Sequence, residues 1–377
     1  MRICAVISDF DGPGSYRMLW PLDELKKHGH QVIMPRFNVR RGHNTLNPDT
    51  RAGTDDDFLV IETTIKSLSP HLDADVYVLQ QPHEAVHVSL VRFWLSKGRT
   101  VVVDTDDDLL HMGELHPAYW LTHPANPAAR NRHRGHYAEI CKLASLITTS
   151  TPALAESMRE VNDNVKVLPN FLYWPWWKDI VVPPAERVRI GWMGRAFWHT
   201  DAVEIMRAVV PSFLDKHPEV DFVAAGDMDL GHMLGLSPKR VISHPTVTFR
   251  ERSNLLSSKL PALTASMDIG LVPLALNRFN EAKSHLKGME YGAAAIPAVA
   301  SPTGPYRAYI SHGRDGFLAA TPAEWHQALE ALLDPATRAD MGAKARRKAA
   351  RQRIDKHWQK WADAYLAEVI PRRKKVA

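Results

Sequence analysis

The chain has 377 residues, of which 45% are hydrophobic and 24% charged, the make-up of a globular protein too long for one ordinary core. Two cysteines, Cys4 and Cys141, exclude a disulfide framework, and no apolar run approaches the length of a membrane span. Met1 leads straight into the strand-like RICAVIS, so a cytoplasmic protein without a signal peptide is expected. Much of the net charge of +5 gathers at the C-terminus, in Lys344–Arg353 and Arg372–Lys375. Such clusters suit the inner face of an anionic membrane (a peripheral contact) or nucleic acid, although a solvated helix face is their commoner use.

In chain order, Arg2–Ser8 reads as a short apolar strand, followed by the loop Asp9–Arg17. A helix with apolar Leu19, Leu22 and Leu25 comes next and stops at His28-Gly29. Gln31–Met34 completes a β-α-β unit whose Gly12 and Gly14 let backbone approach a ligand. The spacing is not the dinucleotide fingerprint, since Arg17 stands where its third glycine would be. Arg36–Asp57 is polar and reads as a loop. Strands are expected at Ala74–Leu79 and Thr100–Val103, with a helix at Val86–Leu95 between them. The second strand runs into the acidic cluster Asp104, Asp106, Asp107 and Asp108, with His111 and His116 beyond. Ala118–His136 reads as irregular, Tyr137–Leu143 as helix and Leu146–Thr149 as strand. Ser150-Thr151-Pro152 is a helix start, and Val165–Leu168 is a strand before the aromatic cluster Phe171–Asp179. That cluster has the composition of a stacking platform, but such clusters more often fill the space between domains. Val181–Glu186 is the most linker-like stretch.

Val188–Met193 opens a second strand–glycine–helix unit, VRIGWMGR, with its helix at Asp201–Lys216. Strands follow at Asp221–Ala225, Val247–Phe249 and Asp268–Leu274. The stretch Glu281–Ser301 then brings Lys283, Lys287 and Glu290, a run of small residues, and the strand Pro297–Ala300. Pro305–Ser311 reads as helix and Gly316–Ala319 as strand, before helices at Ala323–Leu333, Pro335–Arg351 and Asp355–Val369. Strand and helix alternate in both halves, which predicts parallel sheets covered on both faces. In such sheets ligands bind beyond the carboxyl ends of the strands. Two lysines four residues apart at such a place suit an anionic ligand such as a nucleoside diphosphate.

GPGSYRMLWPLDELKKHGHQV, LASLITTSTPALAE, VKVLPNF, VRIGWMGR, KSHLKGMEYGAAAIPAVAS and SPTGPY, in this order over nearly the whole chain, resemble glycosyltransferases of the GT-B fold, family 4 and its relatives. The resemblance implies an α/β fold of two Rossmann-like doubly wound domains facing across a cleft. Residues 1–182 would bind the acceptor and 187–353 the nucleotide sugar, while 354–377 would form a helix packing back toward the first domain plus a basic tail. The implied reaction moves a hexose from a nucleoside diphosphate sugar, of UDP or GDP, to an acceptor hydroxyl, with retention, without a metal and without a cofactor. The acceptor would be a glycan, a lipid-linked sugar, a protein or a modified nucleic acid. Glu290 matches the glutamate that binds the donor ribose. Arg195, after Gly194, matches the basic residue on the diphosphate, with Lys283 or Lys287 as the second positive charge. Thr303 and Gly304 complete the donor set. Arg195, Lys283, Lys287 and His111 are expected to serve catalysis, and Gly14, Ser15, Arg17, Asp106 and Asp107 to bind the acceptor. Two positions depart from the family. Its first glutamate falls on Ala282, with Glu281 one residue out of register, and a lysine six after the arginine is replaced by Asp201, in a WHTD motif that resembles a subgroup.

Other readings compete at single motifs. Asp104–Asp108 has the spacing of a cation-binding D-x-D, but acceptor binding or loop capping suits its place in the first half better. Asp9-Phe10-Asp11-Gly12 resembles the opening of haloacid dehalogenase-type phosphatases, with Asp9 as nucleophile. Pro13 departs from that pattern, and the second half is left unexplained. His111 and His116 lack zinc-ligand spacing. A non-catalytic nucleotide-sugar- or glycan-binding protein of the same fold is the alternative class, and Ala282 would be its mark.

Overall fold

The computed structural model describes residues 1–8, 12–34, 73–112, 127–196, 199–226, 229–245 and 255–376. The Asp9–Asp11 turn, the Arg36–Asp57 segment, His116, Trp198 and the strand expected at Val247–Phe249 lie outside them. The described chain divides into two compact units. The first runs to Pro169 and takes up Trp358 onward, and the second is Asn170–His357.

Unit 1 holds strands β1 (Arg2–Val6), β2 (Gln31–Ile33), β3 (Val76–Gln80), β4 (Thr100–Thr105), β5 (Leu146–Thr149) and β6 (Val165–Val167). They form one sheet in the order β2-β1-β3-β4-β5-β6, and every pairing is parallel. Every residue of β3, β4 and β5 is buried, which is why these segments are apolar without alternation. The helices are α1 (Gly12–Gly14), α2 (Trp20–Lys27), α3 (Ala85–Ser96), α4 (Pro127–Leu143) and α5 (Pro152–Met158). A π-turn over Ser15–Leu19 joins α1 to α2, so the expected loop is helical from Gly12 on. Gly14 has ordinary helical dihedrals and is not there for a left-handed turn. Helix α4 starts at Pro127, ten residues before the expected Tyr137, because proline at the first position and two following alanines outweigh the polar composition. The Thr151 hydroxyl caps α5 by accepting the Leu154 N–H at 3.1 Å.

Unit 2 holds β7 (Val188–Gly194), β8 (Val220–Gly226), β9 (Val241–Pro245), β10 (Ile269–Val272), β11 (Ala298–Ala300) and β12 (Gly316–Leu318). The order β12-β11-β10-β7-β8-β9, parallel throughout, is the doubly wound nucleotide-binding arrangement. Its helices are α6 (Thr200–Lys216), α7 (Leu230–Met233), α8 (Leu255–Thr264), α9 (Arg278–Ala282), α10 (Leu286–Ala293), α11 (Gly304–Tyr309), α12 (Pro322–Ala331), α13 (Pro335–Ala349) and α14 (Ile354–His357). Strand β9 and helix α8 were not expected: β9 carries Ser243, His244 and Pro245, and pairing with β8 makes it a strand.

Helix α10 seats directly on β10. A Cβ at Gly270 would stand 2.5 Å from the Tyr291 ring, and the Tyr291 hydroxyl donates to the Leu271 carbonyl at 3.2 Å. The aromatic cluster packs inside unit 2. Trp177 is buried, and the guanidinium groups of Arg346 and Arg353 lie 5.6 and 5.7 Å from the Trp174 ring centre. The last helix, α15 (Gln359–Val376), belongs to unit 1 and packs on α2 and β4.

Candidate active site

In unit 2 the chain runs outward from β7 to β8 and β9, then returns to the other side of β7 as β10 and continues to β11 and β12. The order therefore reverses between β7 and β10, and loops at the carboxyl ends of such strands bind ligands. Gly194-Arg195 follows β7. The segment after β10 leads through α9 to Lys283, its C-cap, and Lys287 lies in the first turn of α10. Glu290 is one turn further on, 2% exposed, with the Lys287 Nζ 2.9 Å from its Oε2. The spacing of three puts both on one helix face. The Lys283 ammonium lies 4.4 Å from the Phe279 ring centre, and the Asn170 side chain donates to Ser284 Oγ at 2.9 Å. Three half-buried cations, Arg195, Lys283 and Lys287, thus border one strand reversal.

Asp201 carries a role the sequence did not reveal. Its Oδ2 accepts the Ala275 N–H at 3.1 Å and the Asn280 side-chain amide at 2.7 Å. Asn280 also donates to the Ala275 carbonyl, and its own N–H is capped by Asn277 Oδ1 at 2.9 Å. Asp201 opens α6, so it ties the loop after β7 to the loop after β10 across the reversal. The Asn277-x-x-Asn280 cap had a sequence signal; the partnership with Asp201, 79 residues away from Asn280, had none.

Two expected donor residues, Gly304 and Gly194, are placed otherwise. The Gly304 N–H donates to Glu281 Oε2 at 2.7 Å, and Arg307 lies 3.1 Å from the same oxygen. Glu281 therefore holds the start of α11, and the Gly304 amide serves the fold. Thr303 is buried and its hydroxyl has no partner. Gly194 is demanded by its own sheet, since a Cβ there would lie 2.5 Å from the Trp192 indole. Between the two lysines stands His285, stacked on Tyr309 at 4.3 Å with its Nε2 buried and unpartnered. Burial, aided by Lys348, pushes its imidazole down to about 4.

In unit 1 the order reverses between β1 and β3. Arg17 does not face a ligand there, contrary to expectation. Its side chain and that of Asp104 are both 0% exposed. Nε donates to Asp104 Oδ1 at 2.9 Å and Nη2 to Oδ2 at 2.7 Å, while Nη1 donates to the Leu168 carbonyl. Thr148 Oγ1 adds a bond to the same carboxylate at 2.6 Å. Burial acts against the Arg17 charge, yet the Asp104 partnership holds its pKa above the ordinary value. Trp361 of α15 lies over the guanidinium at 6.0 Å. Gly14 and Ser15 are buried as well.

The acidic run divides by role. Asp108 is buried and receives Ser157 Oγ at 2.7 Å. His111 Nδ1 lies 3.0 Å from Asp108 Oδ1, and its Nε2 lies 3.0 Å from Glu160 Oε2, so both ring nitrogens are engaged inside the unit. Asp106 and Asp107 stay half-buried, and Asp106 accepts from Gln81 Nε2 at 2.8 Å. Among the described residues no three His, Cys, Asp or Glu side chains are grouped to hold a metal ion. None of their helices is long and apolar enough to cross a membrane.

Residues 187–335 match the family model described as glycosyl transferases group 1. No curated protein matches the sequence. Solved structures do resemble the fold. Sucrose-phosphate synthase from Thermosynechococcus elongatus superposes with a TM-score of 0.69 at 13% identity, over 97% of this chain and 99% of that one. Anabaena HepE, solved with UDP and glucose, gives 0.64 at 15% identity over 97% and 100%. The catalytic domain of starch synthase IV from Arabidopsis thaliana, bound to ADP and acarbose, gives 0.64 at 13% identity over 98% and 99%. With the reversal at β7 and β10 and the superpositions over nearly the whole chain, the conclusion is that this chain has the GT-B fold and that its residues 187–335, within unit 2, match the glycosyl transferases group 1 family.

Proposed function

We propose that this chain is a glycosyltransferase that moves a sugar from a nucleoside diphosphate sugar to a hydroxyl of a carbohydrate acceptor, with retention and without a bound metal ion or cofactor. The observation that carries the reading is the set of cations at the unit 2 reversal, Arg195, Lys283 and Lys287, beside the buried Glu290. Cations in that position offset the charge that builds on a departing diphosphate, and a carboxylate is suited to receive both hydroxyls of a ribose. Thr303 Oγ1, buried without a partner, offers a further contact to the donor. HepE binds UDP and glucose, and starch synthase IV binds ADP and acarbose, which supports a nucleotide sugar and a glycan acceptor here. Metal independence is supported by the fate of the acidic run, whose Asp104 and Asp108 are bound to Arg17 and to Ser157 and His111. On this reading the diphosphate itself helps remove the acceptor proton, and the protein acts by positioning and by stabilising the leaving group. The protein would work in the cytoplasm, where the basic C-terminus can meet an anionic membrane surface.

A thermal-shift panel of UDP-, GDP-, ADP- and dTDP-sugars tests the donor, because a ligand of the folded state raises the melting temperature. The best donor should then be hydrolysed or transferred at a rate unaffected by EDTA, with the anomeric configuration kept in the product. Loss of turnover in EDTA with recovery in Mg²⁺ would sink the metal-free mechanism. A non-catalytic binder of the same fold is the second reading. It is favoured by Ala282 in place of the family's first glutamate and by the engagement of Glu281 with Gly304 and Arg307. A donor that binds but is never turned over would select it.

A further inference from the structure

Among the described residues only two without a glycine's freedom have left-handed backbone, Gln81 with φ +44° and Ala295 with φ +59°. Gln81 directly follows β3, one of the two strands between which unit 1 reverses its order. Glycine adopts this conformation freely and a residue with a Cβ does not. Three bonds hold Gln81 there. Its N–H donates to the Asp104 carbonyl at 2.9 Å, its own carbonyl lies 2.9 Å from His83 Nδ1, and its Nε2 donates to Asp106 Oδ1 at 2.8 Å. Among the described residues its Oε1 has no hydrogen-bond partner. Gln80, the last residue of β3, is 3% exposed. Its Oε1 accepts the Ser8 N–H from the end of β1 at 3.2 Å. That bond orients the amide and leaves Nε2 buried without a partner at the same strand ends.

Backbone strain collects at ligand sites, and a buried unpartnered donor is costly until an oxygen meets it. Both signals fall on consecutive residues where doubly wound sheets bind ligands. We propose that Gln80 and Gln81 form an acceptor-binding element, with Gln81 Oε1 accepting from a hydroxyl of a carbohydrate and Gln80 Nε2 donating to an oxygen of the same molecule. The proposal rests on the reading of this chain as a sugar-nucleotide transferase. One spare acceptor and one spare donor match hydroxyl groups, which both give and take hydrogen bonds. Neither amide carries charge, and the Asp106 carboxylate beside them opposes an anion, so a neutral sugar fits and a phosphate does not.

The test uses octyl glycosides of glucose, galactose, mannose and N-acetylglucosamine as acceptors, with the nucleotide sugar that gives the largest thermal shift. Gln81→Ala and Gln80→Leu should each raise KM for the best glycoside about tenfold, the effect of one lost hydrogen bond, with kcat within about twofold. The thermal shift produced by the donor should not move. Gln81→Gly separates binding from strain. It should raise the melting temperature, since glycine relaxes the backbone, and still raise the acceptor KM as alanine does. A more stable Gln81→Gly protein with the original acceptor KM overturns the proposal. So does a donor that binds while no glycoside raises turnover above hydrolysis. If no nucleotide sugar shifts the melting temperature, the donor reading itself fails and takes this proposal with it.

Discussion

Arg17 and Arg195 each follow the first strand of their unit, β1 and β7, yet they meet opposite fates. Arg17 is sealed in a bidentate pair with Asp104, both side chains 0% exposed. Arg195 stays half-buried at the strand end, with Lys283 and Lys287 beyond the neighbouring strand. In unit 1, Asp104, the penultimate residue of β4, takes up the arginine. In unit 2 the two acids nearest the reversal in sequence hold the fold, Asp201 bonding Asn280 and Glu281 bonding Gly304. Two sheets wound by the same rules thus offer different chemistry, a cationic rim in one and amides with half-buried acids in the other.

The largest test of this contrast is Arg17→Ala. Leaving Asp104 buried and unpaired should cost about 3–5 kcal/mol, read as a fall in the urea midpoint. If Arg17→Ala melts like the parent and loses only activity, the arginine is a ligand contact after all. Arg195→Ala and Lys283→Ala should do the reverse, lowering donor turnover about 10²-fold, or about 2.7 kcal/mol, with the urea midpoint unchanged. Equal stability losses for Arg17→Ala and Arg195→Ala would erase the distinction between the units.

A pH series sharpens it further. Burial lowers the imidazole of His87 in unit 1 and of His285 in unit 2 to about 4, from 6.5. Between those values the unfolded chain takes up protons that the folded chain refuses. Stability is therefore full above about 6.5 and declines as pH falls toward 4, by about 1.4 kcal/mol per pH unit for each histidine. His285→Phe keeps a ring to stack on Tyr309 and should flatten the decline in urea midpoint. An unchanged slope would mean that His285 is already protonated in the folded state. The smallest effect is expected at Ala295, whose φ of +59° at the end of α10 suits glycine. Ala295→Gly should stabilise unit 2 by a few tenths to about 1 kcal/mol; calorimetry showing a loss would mean that the methyl packs against something worth more than the strain.

Legibility followed the range of the interactions. Helix α5 was readable from Thr151-Pro152, and β10 from its apolar run, because caps and burial patterns are local. The early start of α4 was hidden by arginines that signal loop and helix equally well. In the candidate site, Arg195, Lys283, Lys287 and Glu290 were picked out by position after strands and by resemblance. Asp201, Gln80 and Gln81 escaped, because a capping acid or an orphaned amide is defined by what it meets in space.

By itself the sequence determined the alternation of buried strands and amphipathic helices, hence two parallel sheets and the loops at their carboxyl ends. Hydrophobic periodicity acts over a few residues and can be read along the chain. Only the tertiary structure decided what each charge does. Arg17 reaches Asp104 across 87 residues and Asp201 reaches Asn280 across 79. Coulomb attraction and desolvation depend on distance and burial in space. Two arginines that look alike in their strand-end contexts therefore become a structural ion pair in one unit and a proposed diphosphate ligand in the other.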